Sequence, residues 1–273
     1  MPRFDPCSYP GPRPHGPVVV YDGEVADLDL DVWLGDGAAS PAAAGAGPAG
    51  SALEPTPAPG STPAPGSEPP AGCRVGPTPP VLRRPGEVRF SVAYGSNASP
   101  GRLHDKGLDV DGAVLLPARL RGYVPAFEAR RTGYGAVPLT LVPQPGAVTD
   151  TWVLGLPPAA TVLLDRTEGR VPEHTPERVL VGESDGRFAP PGTYQLGRVG
   201  EVVVAGRWRL TEALAYLPGR ATRIQCEPGG DWRTWPEVDQ PAAVAHLERG
   251  GPSRPAPPVA APVFGPWPPT PLR

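Results

Sequence analysis

The stretch VRFSVAYGSNASPG, residues 88–101, decides how the rest of the chain is read. Its first half, Val88 to Tyr94, alternates and is rich in residues that suit a pleated sheet, which predicts a strand. The second half stops that strand abruptly. Gly95, Ser96 and Asn97 are turn residues, and Ser99 followed by Pro100 is a helix-start signal, an N-cap with proline at the first helical position. A strand that passes to a helix through Gly-Ser-Asn leaves backbone N–H groups of the turn unpaired and facing outward. Gly95 admits backbone conformations closed to other residues and lets a ligand approach closely. The start of the helix adds partial positive charge. Such a loop suits a carboxylate or a developing oxyanion. An ordinary strand-to-helix turn uses the same residues, and on this stretch alone both readings stand.

Outward from this stretch the composition changes. The chain has 273 residues, of which 44 are proline and 35 glycine, a share typical of low-complexity segments. With 39% hydrophobic and 7% aromatic residues it can build one ordinary core. Residues 36–85 are mostly Ala, Pro, Gly, Ser and Thr and contain the tandem hexapeptide TPAPGS, at 56–61 and again at 62–67. That composition reads as a disordered linker with extended polyproline character. The sequence from about 250 onward has the same character despite Trp267. The organisation expected is an N-terminal arm (1–35), the linker (36–85), a folded domain (86–220) and a C-terminal extension (221–273) that is Pro-rich and disordered from about 250. Within the arm, VADLDLDVWL (25–34) sets apolar residues near a period of two. It reads either as a strand or docking peptide pairing with the domain's edge or as a solvated acidic segment.

Charge and cysteine usage exclude several functions. The net charge is -3, Lys106 is the only lysine, and no basic stretch is interleaved with aromatics, which argues against nucleic acid as a partner. Cys7, Cys73 and Cys226 are scattered, odd in number and without CxxC spacing, so they supply neither a disulfide framework nor a zinc site. The N-terminus has no apolar signal region, and Val18 to Val20 is far too short to span a bilayer. A cytoplasmic protein with no membrane partner is expected.

Strands are expected at 113–129, 136–142, 151–156 and 177–182. Pro157-Pro158 opens a helix with Ala159, Ala160, Val162, Leu163 and Leu164 on its apolar side. GRWRLTEALAYL (206–217) is compatible with strand or helix, strand being preferred. Several strands with two short, well-signalled helices make an α+β domain.

After the helix comes LLDRTEGR, residues 163–170, with Glu168-Gly169 at the helix end. Taken alone, Glu168 is an ordinary solvated carboxylate, slightly disfavoured by the helix dipole. Together with the earlier loop, the sequence resembles the γ-glutamylcyclotransferase-like family. Members carry YGSN near the start of the domain and a later helix end of the form LDxxEG. Tyr94, Gly95, Ser96 and Asn97 match the first motif; Leu164, Asp165, Glu168 and Gly169 match the second. Between them, residues 133–156 look like the family's run into the strand before the helix. The resemblance covers residues 88–217. Ala98 departs from the leucine that many members have after YGSN. His174, in VPEHTPERV, stands where members often place a tyrosine, which puts substrate identity at issue more than the core chemistry.

The resemblance implies a small mixed β-barrel with flanking helices, and a YGSN loop that holds a γ-glutamyl group through backbone amides. It implies Glu168 as general acid/base and a small-molecule γ-glutamyl substrate, with no metal or cofactor. The implied reaction is intramolecular: the substrate's α-amine attacks its own γ-carbonyl, giving 5-oxoproline and expelling an amine or amino acid. An α-ammonium has a pKa of about 8, so a base must take its proton first. Tethering nucleophile to electrophile supplies proximity. Asp165, one turn earlier on the same helix, is expected to matter much less to the rate. Two rivals remain: Ser96 as a nucleophile with His104 or His174 as its base, for which the GxSxG elbow is missing, and a catalytically inactive small-molecule binding protein of the same fold.

Overall fold

Two long neighbouring strands organise the molecule. A computed structural model describes residues 9–35, 83–170, 189–190 and 192–273. In chain order the elements are β1 (Val18–Tyr21), β2 (Glu24–Asp27), α1 (Leu30–Leu34), β3 (Arg89–Ala93), α2 (Pro100–Asp105), β4 (Ala113–Phe127), β5 (Leu139–Leu156) and α3 (Pro158–Thr167). After them come β6 (Tyr194–Arg198), β7 (Val202–Val204), β8 (Trp208–Leu210), β9 (Leu214–Pro218), β10 (Arg223–Gln225), α4 (Gln240–Glu248) and β11 (Ser253–Pro255). The main sheet runs β2-β1-β4-β5-β3-β9-β6, with β7 paired to β4 and β8 to β7. Its pairings are antiparallel except that of β3 with β9. The fold class is α+β, as expected. The small barrel is not found: among the described residues the sheet is open, ending at β2 and β6.

β4 and β5 pair from Val114–Gly155 to Phe127–Leu139, with a register shift between Arg121 and Tyr123. The sequence places two strands, 136–142 and 151–156, where one continuous strand stands. Residues 143–150 reach beyond the core and are mostly exposed, so they lack the apolar alternation that marks a half-buried strand. β4 gives them a hydrogen-bonding partner all the same. The segment 206–217 is extended, as β8 and the start of β9.

The arm is built differently from either expected reading. VADLDLDVWL divides: its first residues belong to β2, and Leu30–Leu34 is a helical turn. Asp29 caps that turn, its carboxylate accepting from the Asp31 and Val32 amides. Leu30 and Trp33, three apart, are the buried pair, which a helix achieves and a strand does not. The strand that joins the main sheet is β1, which pairs with β4 and buries Val18 and Val20. Its turn to β2 is Asp22-Gly23, both at positive φ (46° and 82°), the two-residue hairpin geometry that Asp-Gly favours.

The C-terminal extension also corrects the expectation. β11 pairs with β10, Val263 N–H donates to the Leu196 carbonyl at 2.7 Å, and Arg273 and Arg209 exchange backbone bonds. Trp267 is buried edge-on against the Tyr216 ring, centroids 5.9 Å apart. Pro-rich chain lacks internal hydrogen bonds, but here the sheet supplies partners and one tryptophan supplies the anchor. The core likewise extends past 86–220, taking in Tyr9, Leu30 and Trp33 from the arm and Ala243 from α4. The linker up to residue 82, the strand expected at 177–182, His174, Cys7 and Cys73 lie outside the described residues. Among the described residues no helix is long and apolar enough to cross a membrane.

Trp267→Ala tests the tail. Truncating a buried tryptophan costs about 3–5 kcal/mol, so a marked fall in the urea midpoint is expected. A change within about 0.5 kcal/mol, the range of unanchored surface positions, would contradict the packing of the tail.

Candidate functional site

The site begins where β3 ends. Phe90, Val92 and Ala93 are buried, and Tyr94 turns its hydroxyl to donate to the Tyr216 carbonyl. The chain then makes a 3-10 turn at Ser96–Ala98, in which Ala98 N–H donates to Gly95 O and Ser99 N–H to Ser96 O. The amides of Ser96 and Asn97 open that turn and so have no partner inside it. Ser99 stands at the N-cap of α2 but makes no side-chain capping bond; its carbonyl receives the Arg102 and Leu103 amides, and Pro100 supplies the helical φ. Gly95 has φ -101°, outside the left-handed region, so the expected conformational demand is not what selects it. Space is: a Cβ at this position would lie 3.0 Å from the Tyr9 hydroxyl.

The second half of the site comes from the end of α3, where each residue of LDxxEG has a physical task. Leu164 is in the core. The helix closes with the Arg170 amide donating to Asp165 O and the Gly169 amide to Arg166 O, a Schellman pair. That motif needs a left-handed residue just past the helix, and Gly169 supplies it with φ +65°. A Cβ there would meet the Pro190 carbonyl oxygen at 2.1 Å, so only glycine fits. Glu168 is the capping residue between them.

This turn brings Glu168 to the YGSN loop. Its Oε1 accepts from Asn97 Nδ2 at 3.1 Å and from Lys106 Nζ at 2.6 Å. Lys106 Nζ also donates to Asn97 Oδ1 at 2.6 Å, closing a three-membered network. The side chains of Lys106 and Glu168 are 8% and 13% exposed. Oε2 accepts no hydrogen bond among the described residues. Lys106, which caps α2, is the site residue that sequence reasoning missed. The available signal was its singularity: every other basic side chain of this type is arginine. An ammonium is a compact point charge on a flexible stem, suited to two close acceptors where a planar guanidinium fork is not.

Tyr9, Tyr94, Tyr194, Tyr216, Leu139 and Glu168 are among the residues that line the adjoining cavity, which is small, with about 30 Å³ open to the centre of a water molecule. Tyr194 donates to the Leu139 carbonyl at 3.1 Å, and Tyr216 to Asp165 Oδ1 at 2.7 Å. Burial pushes all four tyrosine hydroxyls above their ordinary pKa, so they remain neutral.

Asp165 is not the bystander the sequence suggests. It is buried, pairs with Arg170, and accepts from Tyr216 and from Trp267 Nε1 at 3.0 Å. Arg170 in turn donates to the carbonyls of Val263 and Gly265. The serine-nucleophile alternative is not assembled among the described residues. His104 faces Asp109, Nδ1 to Oδ2 3.1 Å, beside the β1–β2 turn, whose Gly23 amide donates to the same carboxylate.

No protein-family model matches the chain, and no curated relative matches it. Among solved structures, one of a protein named gamma-glutamyl cyclotransferase is similar at 18% identity and a TM-score of 0.36, covering 53% of this chain and 74% of its own. The uncharacterized protein loc79017 from Homo sapiens is similar at 19% identity and a TM-score of 0.35, with the same coverage. Both are similarities of chain path, and no residue role is transferred from them.

The ion pair can be tested without any substrate. Lys106→Met strands a buried carboxylate and is expected to cost about 3–5 kcal/mol. Combining it with Glu168→Gln should recover part of that, a coupling of at least about 1 kcal/mol in a double-mutant cycle read by urea unfolding. Additive effects would show that the two groups do not interact.

Proposed function

We propose that the chain is an enzyme of the γ-glutamylcyclotransferase type, which cyclises a γ-glutamyl group to 5-oxoproline and releases an amine or amino acid. The observation that carries this reading is the asymmetric Glu168 carboxylate. Oε1 is anchored by Asn97 and Lys106, Oε2 accepts no hydrogen bond among the described residues, and Glu168 lines a cavity beside the YGSN turn.

The arrangement suits the chemistry step by step. Oε2 of Glu168 takes a proton from the substrate's α-ammonium, freeing the amine lone pair. The amine nitrogen attacks the γ-carbonyl carbon of the same molecule, closing a five-membered ring, and the carbonyl oxygen takes up negative charge. In this reading the Ser96 and Asn97 amides stabilise that oxygen, the role the YGSN resemblance implies for the loop. Glu168 returns its proton to the departing nitrogen as the C–N bond breaks, and the ring nitrogen gives up its second proton to the released amine, leaving a neutral lactam and an ammonium. Lys106 and Asn97 act as positioning residues: they fix the carboxylate rotamer and compensate its charge in a buried place where the C-terminal end of α3 disfavours an anion.

The test is a panel of γ-glutamyl amino acids, glutathione and γ-glutamylamines assayed for 5-oxoproline release by the full chain. Glu168→Gln should slow turnover at least ~10²-fold, or about 2.7 kcal/mol of transition-state stabilisation, with an unchanged circular dichroism spectrum. Near-wild-type turnover by the folded variant would remove Glu168 from the mechanism. A wild-type protein inert to the whole panel would overturn the assigned reaction.

A further inference from the structure

We infer that Tyr9, from the N-terminal arm, is a substrate-contacting residue of this site: its hydroxyl donates to the carbonyl oxygen of the bound γ-glutamyl group. The inference rests on the reaction proposed above and deepens it, because nothing in the YGSN or LDxxEG motifs points to the arm.

Four tyrosines line the cavity. Three have placed their protons: Tyr94 on the Tyr216 carbonyl, Tyr194 on the Leu139 carbonyl, and Tyr216 on Asp165. Tyr9 is bonded the other way round. Its oxygen accepts from the Leu139 amide at 3.2 Å, and among the described residues its own proton has no acceptor. The side chain is buried, at 7% exposure. A buried hydroxyl that keeps an unplaced proton is unfavourable unless something else in the cavity accepts it. Burial also holds this hydroxyl above its ordinary pKa, so it stays a donor.

The position is as specific as the bonding. The hydroxyl oxygen sits so close to Gly95 that a single added carbon there would be 3.0 Å away. It therefore lies beside the turn and lines the same cavity as Gly95, Ser96 and Asn97. Two further contacts hold the arm there. Arg13 Nη2 donates to the Tyr94 carbonyl at 2.8 Å. Gly11, at φ +94°, passes Ser99 so closely that a Cβ would lie 2.7 Å from its hydroxyl oxygen. The arm is thus fitted to the loop at three successive points, and the glycine at its centre is required both by conformation and by space.

An oxyanion donor acts on the transition state more than on ground-state binding, so its removal falls on kcat. Tyr9→Phe removes one oxygen. The expected result is a kcat at least ~10-fold lower, with KM changed by less than ~3-fold, on whichever panel substrate the wild type turns over. The melting temperature is measured alongside. Unchanged kcat overturns the inference while leaving the proposed reaction intact. A raised kcat also overturns it, since Tyr9 would then be a plug rather than a participant. A second measurement needs no variant to fold and no turnover. The full chain, with ¹³C at Cζ of Tyr9 alone, is titrated with 5-oxoproline, and a saturable shift of that resonance is expected. If the panel gives no turnover, the reaction falls and this titration decides the contact: a saturable shift supports it, and a flat titration overturns it.

Discussion

The buried Asp165 carboxylate is the interaction on which the site's geometry depends. A carboxylate taken out of water is tolerated only when paired and fully hydrogen-bonded, and Asp165 meets that demand by gathering three otherwise separate parts of the chain. Tyr216 comes from β9, Trp267 from the C-terminal tail, and Arg170 from the turn that ends α3. Arg170 then grips the tail again through the Val263 and Gly265 carbonyls. The end of α3 is consequently fixed in rotation as well as in position. Glu168, three residues on, has its direction set before any contact of its own is counted.

Those contacts solve a second electrostatic problem. A glutamate at a helix C-terminus faces the negative end of the dipole, and here it is also largely shielded from water. The chain's single lysine, at the end of α2, lies against it and also donates to Asn97, so the YGSN loop is tied to the charge that compensates the carboxylate. Among the described residues, Oε1 of Glu168 is hydrogen-bonded by this network and Oε2 is not. The proposed reaction draws on that second oxygen.

The local sequence was legible where local physics decides. β3, the turn after it, the helix opened by Pro158 and its glycine terminator stand where periodicity and capping rules put them, and Asn97 and Glu168 come into contact across 71 residues. What was not legible depends on partners distant in sequence. The exposed middle of β5 has no pattern of its own and is a strand because β4 lies beside it. The tail reads as unstructured because proline obscures the periodicity that tertiary hydrogen bonds make unnecessary. Lys106 and Asp165 look like surface charges, since burial of a charge is a property of its partners rather than of its neighbours in the chain. Asp22-Gly23 is the exception, a hairpin signal present in the sequence and overshadowed by the apolar alternation that follows it.

The topology has a consequence for how such a site can be read at all. The two motifs supply the loop and the acid, but the cavity they bound is closed by Tyr9 from one end of the chain and braced through Trp267 from the other. Both contributions come from segments whose composition, taken window by window, argues against any core. Each segment joins the core through a few buried residues, Tyr9, Leu30 and Trp33 from the arm and Trp267 from the tail, and is held in addition by directional contacts. Arg13 and Gly11 secure the first, and Arg170 and the Leu196 carbonyl secure the second. Both motifs lie in a short central stretch, while the arm supplies one wall of the cavity and the tail braces the helix end beside it.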